Sequence, residues 1–231
     1  MTTEGDQRME PTSGHFDFII RAFQTGGFWV YPIALCLALS VGISLERILR
    51  LYFQFPTHGT SFWHEVRNLV LADDLDGAIK ACNAGGNRVL PKVLRAGLTR
   101  ASRDETQIQN AIDAATLEVL PKLERRIPYL SLIANIATLM GLLGTISGLI
   151  AAFNAVSSAD PQARQAILSA GIAEAMNATA FGLVTAIFSM IAHSFLSNQA
   201  AHIAAEIDEF GVKLMDLVSA RNFKHSSERG E

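Results

Sequence analysis

Residues 130–154 read LSLIANIATLMGLLGTISGLIAAFN, a stretch without a single Asp, Glu, Lys, Arg or His. A helix rises ~1.5 Å per residue, so about 20 apolar residues cross ~30 Å of hydrocarbon. A surface helix of a soluble protein keeps one polar face, and this stretch has none of that width. It is therefore read as a transmembrane helix spanning about Tyr129–Phe153.

Two further runs have similar length and character, Trp29–Leu49 and Ile172–Leu196. The last opens on Glu174 and carries His193 near its far end. The alternative for it is a buried soluble helix, but its length and the company of two other spans favour a membrane crossing. Composition agrees: 49% of the 231 residues are hydrophobic and 18% charged, against roughly 25% charged in soluble domains. Mean hydropathy is +0.25. The expected fold is an all-α membrane protein with three transmembrane helices, spans two and three extending into a cytoplasmic helical bundle.

Lys and Arg near the span ends orient such a chain. Arg47 and Arg50 close the first span, and Lys122, Arg125 and Arg126 precede the second. The loop between spans two and three carries only Arg164. This places 52–128 in the cytoplasm and the N-terminus and outer loop in the periplasm, with the C-terminus cytoplasmic. Trp29, Tyr31 and Tyr129 stand where interfacial aromatics are expected. Residues 1–14 are polar and mildly acidic, without the basic start of a cleavable signal, so the first run is expected to remain.

The expected organisation follows. Residues 1–14 are disordered, and 15–28 form an amphipathic interfacial helix on Phe16, Ile19, Ile20 and Phe23, or simply the start of the first helix. Transmembrane helix 1 covers 29–51, a cytoplasmic helical domain 52–128, and transmembrane helix 2 covers 129–155. A short periplasmic loop at 156–171 leads to transmembrane helix 3 at 172–197. A cytoplasmic helical tail occupies 198–231, with 222–231 disordered. Within the cytoplasmic domain, DDLDGAIK (73–80) offers acidic N-caps, AGGN (84–87) a stop, and VLPKVLRAGL (89–98) a restart. Residues 104–127 run on toward span two, interrupted only by Pro121 and Pro128, and are read as one long helix with a possible kink there.

Function classes narrow quickly. A net charge of −3 with no basic block gives no case for nucleic acid. Cys36 and Cys82 make no disulfide framework, no Cys/His spacing suits a metal, and no nucleophile–base pair suggests an enzyme. No cofactor is expected. What remains lies in spans two and three. Thr138, Gly141, Thr145, Gly148 and Ala152 recur at spacings of three or four. So do Ala175, Thr179, Gly182, Ala186, Ser189 and His193. One reading is close helix packing, with Gly144 and Gly148 forming GxxxG. The other uses depth: Thr145 and Thr179 both lie roughly 10–12 Å from the outer edge of antiparallel helices. Two hydroxyls at one level can line a polar path. Ionisable groups within a membrane are costly and usually functional, and here none lies near mid-membrane. Glu174 is near the outer edge, facing an outer vestibule, forming an interhelical contact or reaching headgroups. A protonatable carboxylate would have to come from another chain.

MGLLGTISG (140–148) with Phe153 resembles the second-span signature of the MotA/TolQ/ExbB family, and GIAEAMNATAFGLVTAI (171–187) resembles its third-span signature. Pro32 with Glu46-Arg47, and DLDGAIKACNAGGNRVLPKVLRAGL (74–98), resemble its first span and cytoplasmic hairpin. The likeness covers about 25–200 and suits three-span TolQ/ExbB more than four-span MotA. It implies a proton-conducting motor subunit of the bacterial inner membrane. It further implies a homopentamer around a dimer of a single-span ExbD/TolR-like partner, which supplies the protonatable Asp. By the same resemblance, Thr145 and Thr179 are pore-lining and Glu174 is the span-three Glu. Gly141, Gly144, Gly148 and Gly182 remain the packing candidates. One position departs: Phe188 follows Ala186-Ile187, where the family often has Pro. The rival function is a non-conducting membrane scaffold.

Overall fold

The structure, a computed structural model, describes residues 27–54, 59–86 and 88–228. The expected disordered start (1–14) and most of the expected interfacial helix (15–28) lie outside the described residues. Those described form seven helices and no strand: α1 (Val30–Gln54), α2 (Gly59–Leu71), α3 (Leu75–Ala84), α4 (Val89–Leu98), α5 (Glu105–Glu124), α6 (Ile127–Ser157) and α7 (Arg164–Glu228). Three stretches are long and apolar enough to cross a membrane: within α1, across α5–α6, and within α7. The chain is an all-α, three-span membrane protein.

It divides into two compact units. The first holds the start of α1 up to Val41 together with Tyr129–Ile191. Its contact surfaces are made mainly of small residues. Ala134, Ala137, Ala152, Ala175, Ala178 and Ala186 are buried, with Val30, Ile33, Leu130 and Ile133. Its large side chains point outward: Leu139, Leu142, Ile146, Ile150 and Phe153 on α6, and Met176, Val184, Ile187 and Ile191 on α7, are exposed. In water this would be an extreme apolar surface; in lipid it is the ordinary outside of a bundle.

The second unit comprises Gly42–Pro128 and Ala192 onward. It has a conventional core. Trp63, Val66 and Val70 of α2 meet Val93, Leu94 and Leu98 of α4, Ile108, Ile112 and Val119 of α5, and Ile207, Phe210 and Leu214 of α7 as its buried residues. The Trp63 and Phe210 rings lie 5.6 Å apart. Asp74 caps α3 by accepting from the Gly77 N–H at 2.7 Å. The α3 helix stops at Ala84, and Gly86 takes φ +65°, which a glycine adopts without Cβ strain.

Three expectations change. The single helix over 104–127 and span two is broken: α5 ends at Glu124, and Arg126 takes φ 70°. The chain passes helically through Pro121 and breaks ahead of Pro128. Pro128 has no N–H for the Glu124 carbonyl and its ring would clash there, whereas the first turn of a new helix tolerates it. Residues 222–228, expected to be disordered, continue α7. Arg221 pairs with Asp73 at 2.5 Å, and the Asn222 amide donates to the Ala101 carbonyl at 2.8 Å, holding the helix at the start of this stretch. On the apolar side of the tail, Val218 completes the buried row after Leu214. Helices α6 and α7 also extend into the stretch read as outer loop, to Ser157 and from Arg164.

Candidate functional site: the α6–α7 seam

The antiparallel segments of α6 and α7 meet along a line of glycine and alanine. A Cβ built on Gly182 would fall 2.6 Å from the Ala137 carbonyl oxygen and 3.0 Å from Gly141 Cα. On Gly141 it would fall 3.2 Å from Thr179 Cα, and on Gly144 2.7 Å from Ala178 Cβ. Gly148 faces Ala175 at 3.0 Å, and Gly171 abuts Ala152. These approaches bring backbone against backbone, as small residues permit in membranes. Gly171 was not singled out from the sequence; its pairing with Ala152 needs the antiparallel register to be seen.

The register also levels the threonines. Gly144 faces Ala178, so Thr145 and Thr179 stand within about two residues' rise, ~3 Å, of one another along the seam. Thr145 stands beside the contact line, whereas Thr179 enters it with its Cα against Gly141. Thr145 follows Gly144 by one position, ~100° round its helix, and both threonines are half-buried.

Their hydroxyls are differently engaged. Thr145 donates to the Leu142 carbonyl of its own helix at 2.6 Å. Thr179 donates across the seam to the Gly141 carbonyl at 2.8 Å. A hydroxyl has one hydrogen and two acceptor sites. With their hydrogens on backbone carbonyls, both threonines offer acceptor capacity to whatever lies beside them. Such a pair suits a neutral acid, a water or a hydronium, which can donate, better than a carboxylate, which can only accept.

Glu174 lies apart from this pair, against Gly27, just ahead of α1. The start of a helix carries unsatisfied N–H groups and a partial positive charge, a favourable place for an acidic side chain. Glu174 as a residue is exposed. The structure thus brings Thr145 and Thr179 together and leaves Glu174 at the end of the unit. Between Glu174 and His193 the sequence has no ionisable residue.

One polar contact was not anticipated. The Ser189 hydroxyl lies 2.7 Å from that of Ser40 and 2.8 Å from the Thr185 carbonyl. The carbonyl can only accept, so the Ser189 hydrogen goes to Thr185 and the Ser189 oxygen accepts from Ser40. This buried link ties α1 to α7, and Trp29 packs beside Gly144. The first span thus contributes directly to the bundle. Ser40 carries no periodic signal of its own; only its position against Ser189 distinguishes it.

Outside the membrane unit, α4 and α5 border a cleft of about 400 Å³ lined by Lys92, Arg95, Thr99, Arg100 and Glu118 over an alanine floor. Glu118 bridges Lys92 at 2.6 Å and Lys122 at 2.9 Å, and these two ammonium groups hold its carboxyl down at about 2. Cys82 is buried in the same unit, and burial pushes its thiol up to about 11. Among the described residues no group of His, Cys, Asp and Glu could hold a metal ion.

Against known proteins, the profile of the MotA/TolQ/ExbB proton channel family matches residues 85–209, more than half of the chain. The Tol-Pal system protein TolQ of Haemophilus influenzae is 38% identical over 104 residues, 43% of this chain and 45% of that protein. The putative biopolymer transport protein ExbB-like 3 of Synechocystis is 28% identical over 169 residues, 72% of this chain and 79% of that protein. The biopolymer transport protein exbB1 of Vibrio cholerae is 25% identical over 183 residues, covering 79% and 80%. The chain therefore spans under half of the TolQ relative and about four fifths of the two ExbB-type relatives it matches.

Proposed function

Because the chain belongs to the MotA/TolQ/ExbB proton channel family, we propose that it is the channel-forming subunit of a proton-driven motor in the bacterial inner membrane. It works as a homopentamer around a dimer of an ExbD/TolR-like single-span protein. Its N-terminus and the α6–α7 connection face the periplasm, and its C-terminus faces the cytoplasm. Proton flow is converted to mechanical work in the cell envelope, such as energised transport, envelope maintenance or gliding.

The observation that carries this reading is the acceptor-only pair, Thr145 and Thr179, on a wall without an acid of its own. A partner's Asp, once protonated, is neutral and has a proton to donate; it can pass such a wall. Ionised, it meets an apolar surface with no free donor and is held back. One charge crossing 100 mV releases about 2.3 kcal/mol, the driving term for each passage. Glu174, exposed near the periplasmic end, gathers cations ahead of the threonines. Gly141, Gly144, Gly148 and Gly182 keep α6 and α7 close enough to hold both threonines at one level.

The test is Thr145→Val with Thr179→Val, nearly isosteric and lacking both hydroxyls. In proteoliposomes carrying subunit and partner, proton flux under an imposed gradient is expected to fall at least tenfold with assembly intact. Wild-type flux in an assembled double variant overturns the wall's role. Flux absent from the wild-type complex too would favour a scaffold.

A further inference from the structure

The two units leave one electrostatic imbalance that proton conduction does not use. It lies in the second unit, where the last turns of α1 meet the break between α5 and α6. Arg47 is 2% exposed. Its Nη1 donates to the Lys122 carbonyl in a long bond of 3.4 Å, while Nε and Nη2 are buried with no acceptor. The charges of Arg50, Arg125 and Arg126 all bear on it, and Glu46 is the counter-charge acting on it. Glu46 is already paired with Arg126 and lies 3.9 Å from Arg50 Nε. Arg125 is exposed and makes no ion pair among the described residues. Four guanidinium groups thus share one carboxylate.

A buried charge short of compensation is unfavourable unless an opposite charge comes near. Arg47 is sealed from direct contact, so the missing anion acts on it through the low-dielectric surroundings. It sits on the exposed guanidiniums of Arg50 and Arg125. The position says which anion. Arg47 and Arg50 end an apolar span, and Leu45, Ile48 and Leu49 beside them are exposed along α1. A group with a phosphate at the arginines and hydrocarbon along those side chains satisfies both surfaces.

We propose that this cluster binds the headgroup of an anionic phospholipid, its phosphate on Arg50 and Arg125 and an acyl chain along Leu45, Ile48 and Leu49. A zwitterionic lipid fits less well, because its ammonium would meet the same positive field. Orientation of the chain needs Lys and Arg outside the hydrocarbon; it does not need Arg47 buried with empty donors.

The full-length protein, reconstituted in nanodiscs of equal phosphatidylglycerol and phosphatidylcholine, provides the test. After extraction, native mass spectrometry reads the lipid that stays bound. The wild type should retain phosphatidylglycerol over phosphatidylcholine. Arg50→Gln and Arg125→Gln should each lower that ratio about fivefold, the effect of ~1 kcal/mol per basic residue at an anionic surface. Arg100→Gln, on the α4–α5 connection, should leave it unchanged. Equal ratios for wild type and both variants overturn the site. Loss of phosphatidylglycerol to free inorganic phosphate overturns the lipid assignment. Should the variants not assemble, the wild type alone decides: its Tm should climb with phosphatidylglycerol content at fixed ionic strength, and a flat response overturns the proposal.

Discussion

The Thr179 hydroxyl donates to the Gly141 carbonyl at 2.8 Å, joining α7 to α6 at the level where their backbones come closest. The same oxygen both ties the helices and presents acceptor capacity at the rim. Thr179→Val alone should therefore lower stability as well as proton flux, while Thr145→Val, whose hydroxyl serves its own helix, should lower flux with little change in Tm. A net hydrogen bond contributes about 0.5–1.5 kcal/mol. Thermal unfolding in detergent of the two single variants separates these roles. Equal Tm losses would contradict the distinction.

Gly182 makes the closest approach to backbone in the seam. A methyl group there would press on the Ala137 carbonyl, which belongs to a helix backbone and cannot swing aside. Gly182→Ala should destabilise by about 1–3 kcal/mol, the range for overpacking. Gly42→Ala is the control, since nothing lies within 4 Å of its Cβ position. Its effect on Tm should be near zero. A tolerated alanine at 182 would show that α6 and α7 can part without loss.

Glu118 titrates in a predictable direction. Its carboxyl is held at about 2 by Lys92 and Lys122, below the ordinary value of 4.5. A depressed folded-state value favours the fold above the unfolded value and loses that contribution as pH falls from about 4.5 toward 2. The group is exposed, so the effect should be small and fade with salt. Denaturation at low ionic strength should show a shallower acid loss for Glu118→Gln than for wild type. Identical acid slopes would remove the ion pairs from the account of stability.

Cys82 supplies a probe of the second unit's core. Buried, with its thiol raised to about 11, it is protonated and shielded at neutral pH. In a Cys36→Ser background, maleimide labelling at pH 7.5 should be negligible in the folded protein and fast in denaturant. Rapid labelling without denaturant would mean that α3 and α4 open readily.

The sequence made some of these features legible and hid others, for physical reasons. The spans announce themselves because hydrocarbon admits no charge over some 20 residues. The Asp74 cap and the glycine stop before Val89 are local, and local chemistry determines them. The threonine pair could be placed at one depth by counting residues alone. The break at Arg126 is hidden because Pro121 and Pro128 look alike in the sequence, and only one of them interrupts the helix. Arg47 was read as a topology signal. It is buried and reaches the Lys122 carbonyl, 75 residues away, which no pattern within α1 reveals. Gly171 and Ser40 matter only through residues far along the chain, Ala152 and Ser189.

The seam between α6 and α7 has a dynamic consequence. Glycine and alanine have no side-chain rotamers to freeze, so bringing these faces together forfeits no side-chain entropy. For the same reason the interface has no adjustable parts. A leucine-lined contact can absorb a push by switching rotamers; contacts such as Gly141 on Gly182 and Gly148 on Ala175 cannot. A displacement applied to one helix here must pass to the other as a movement of backbone.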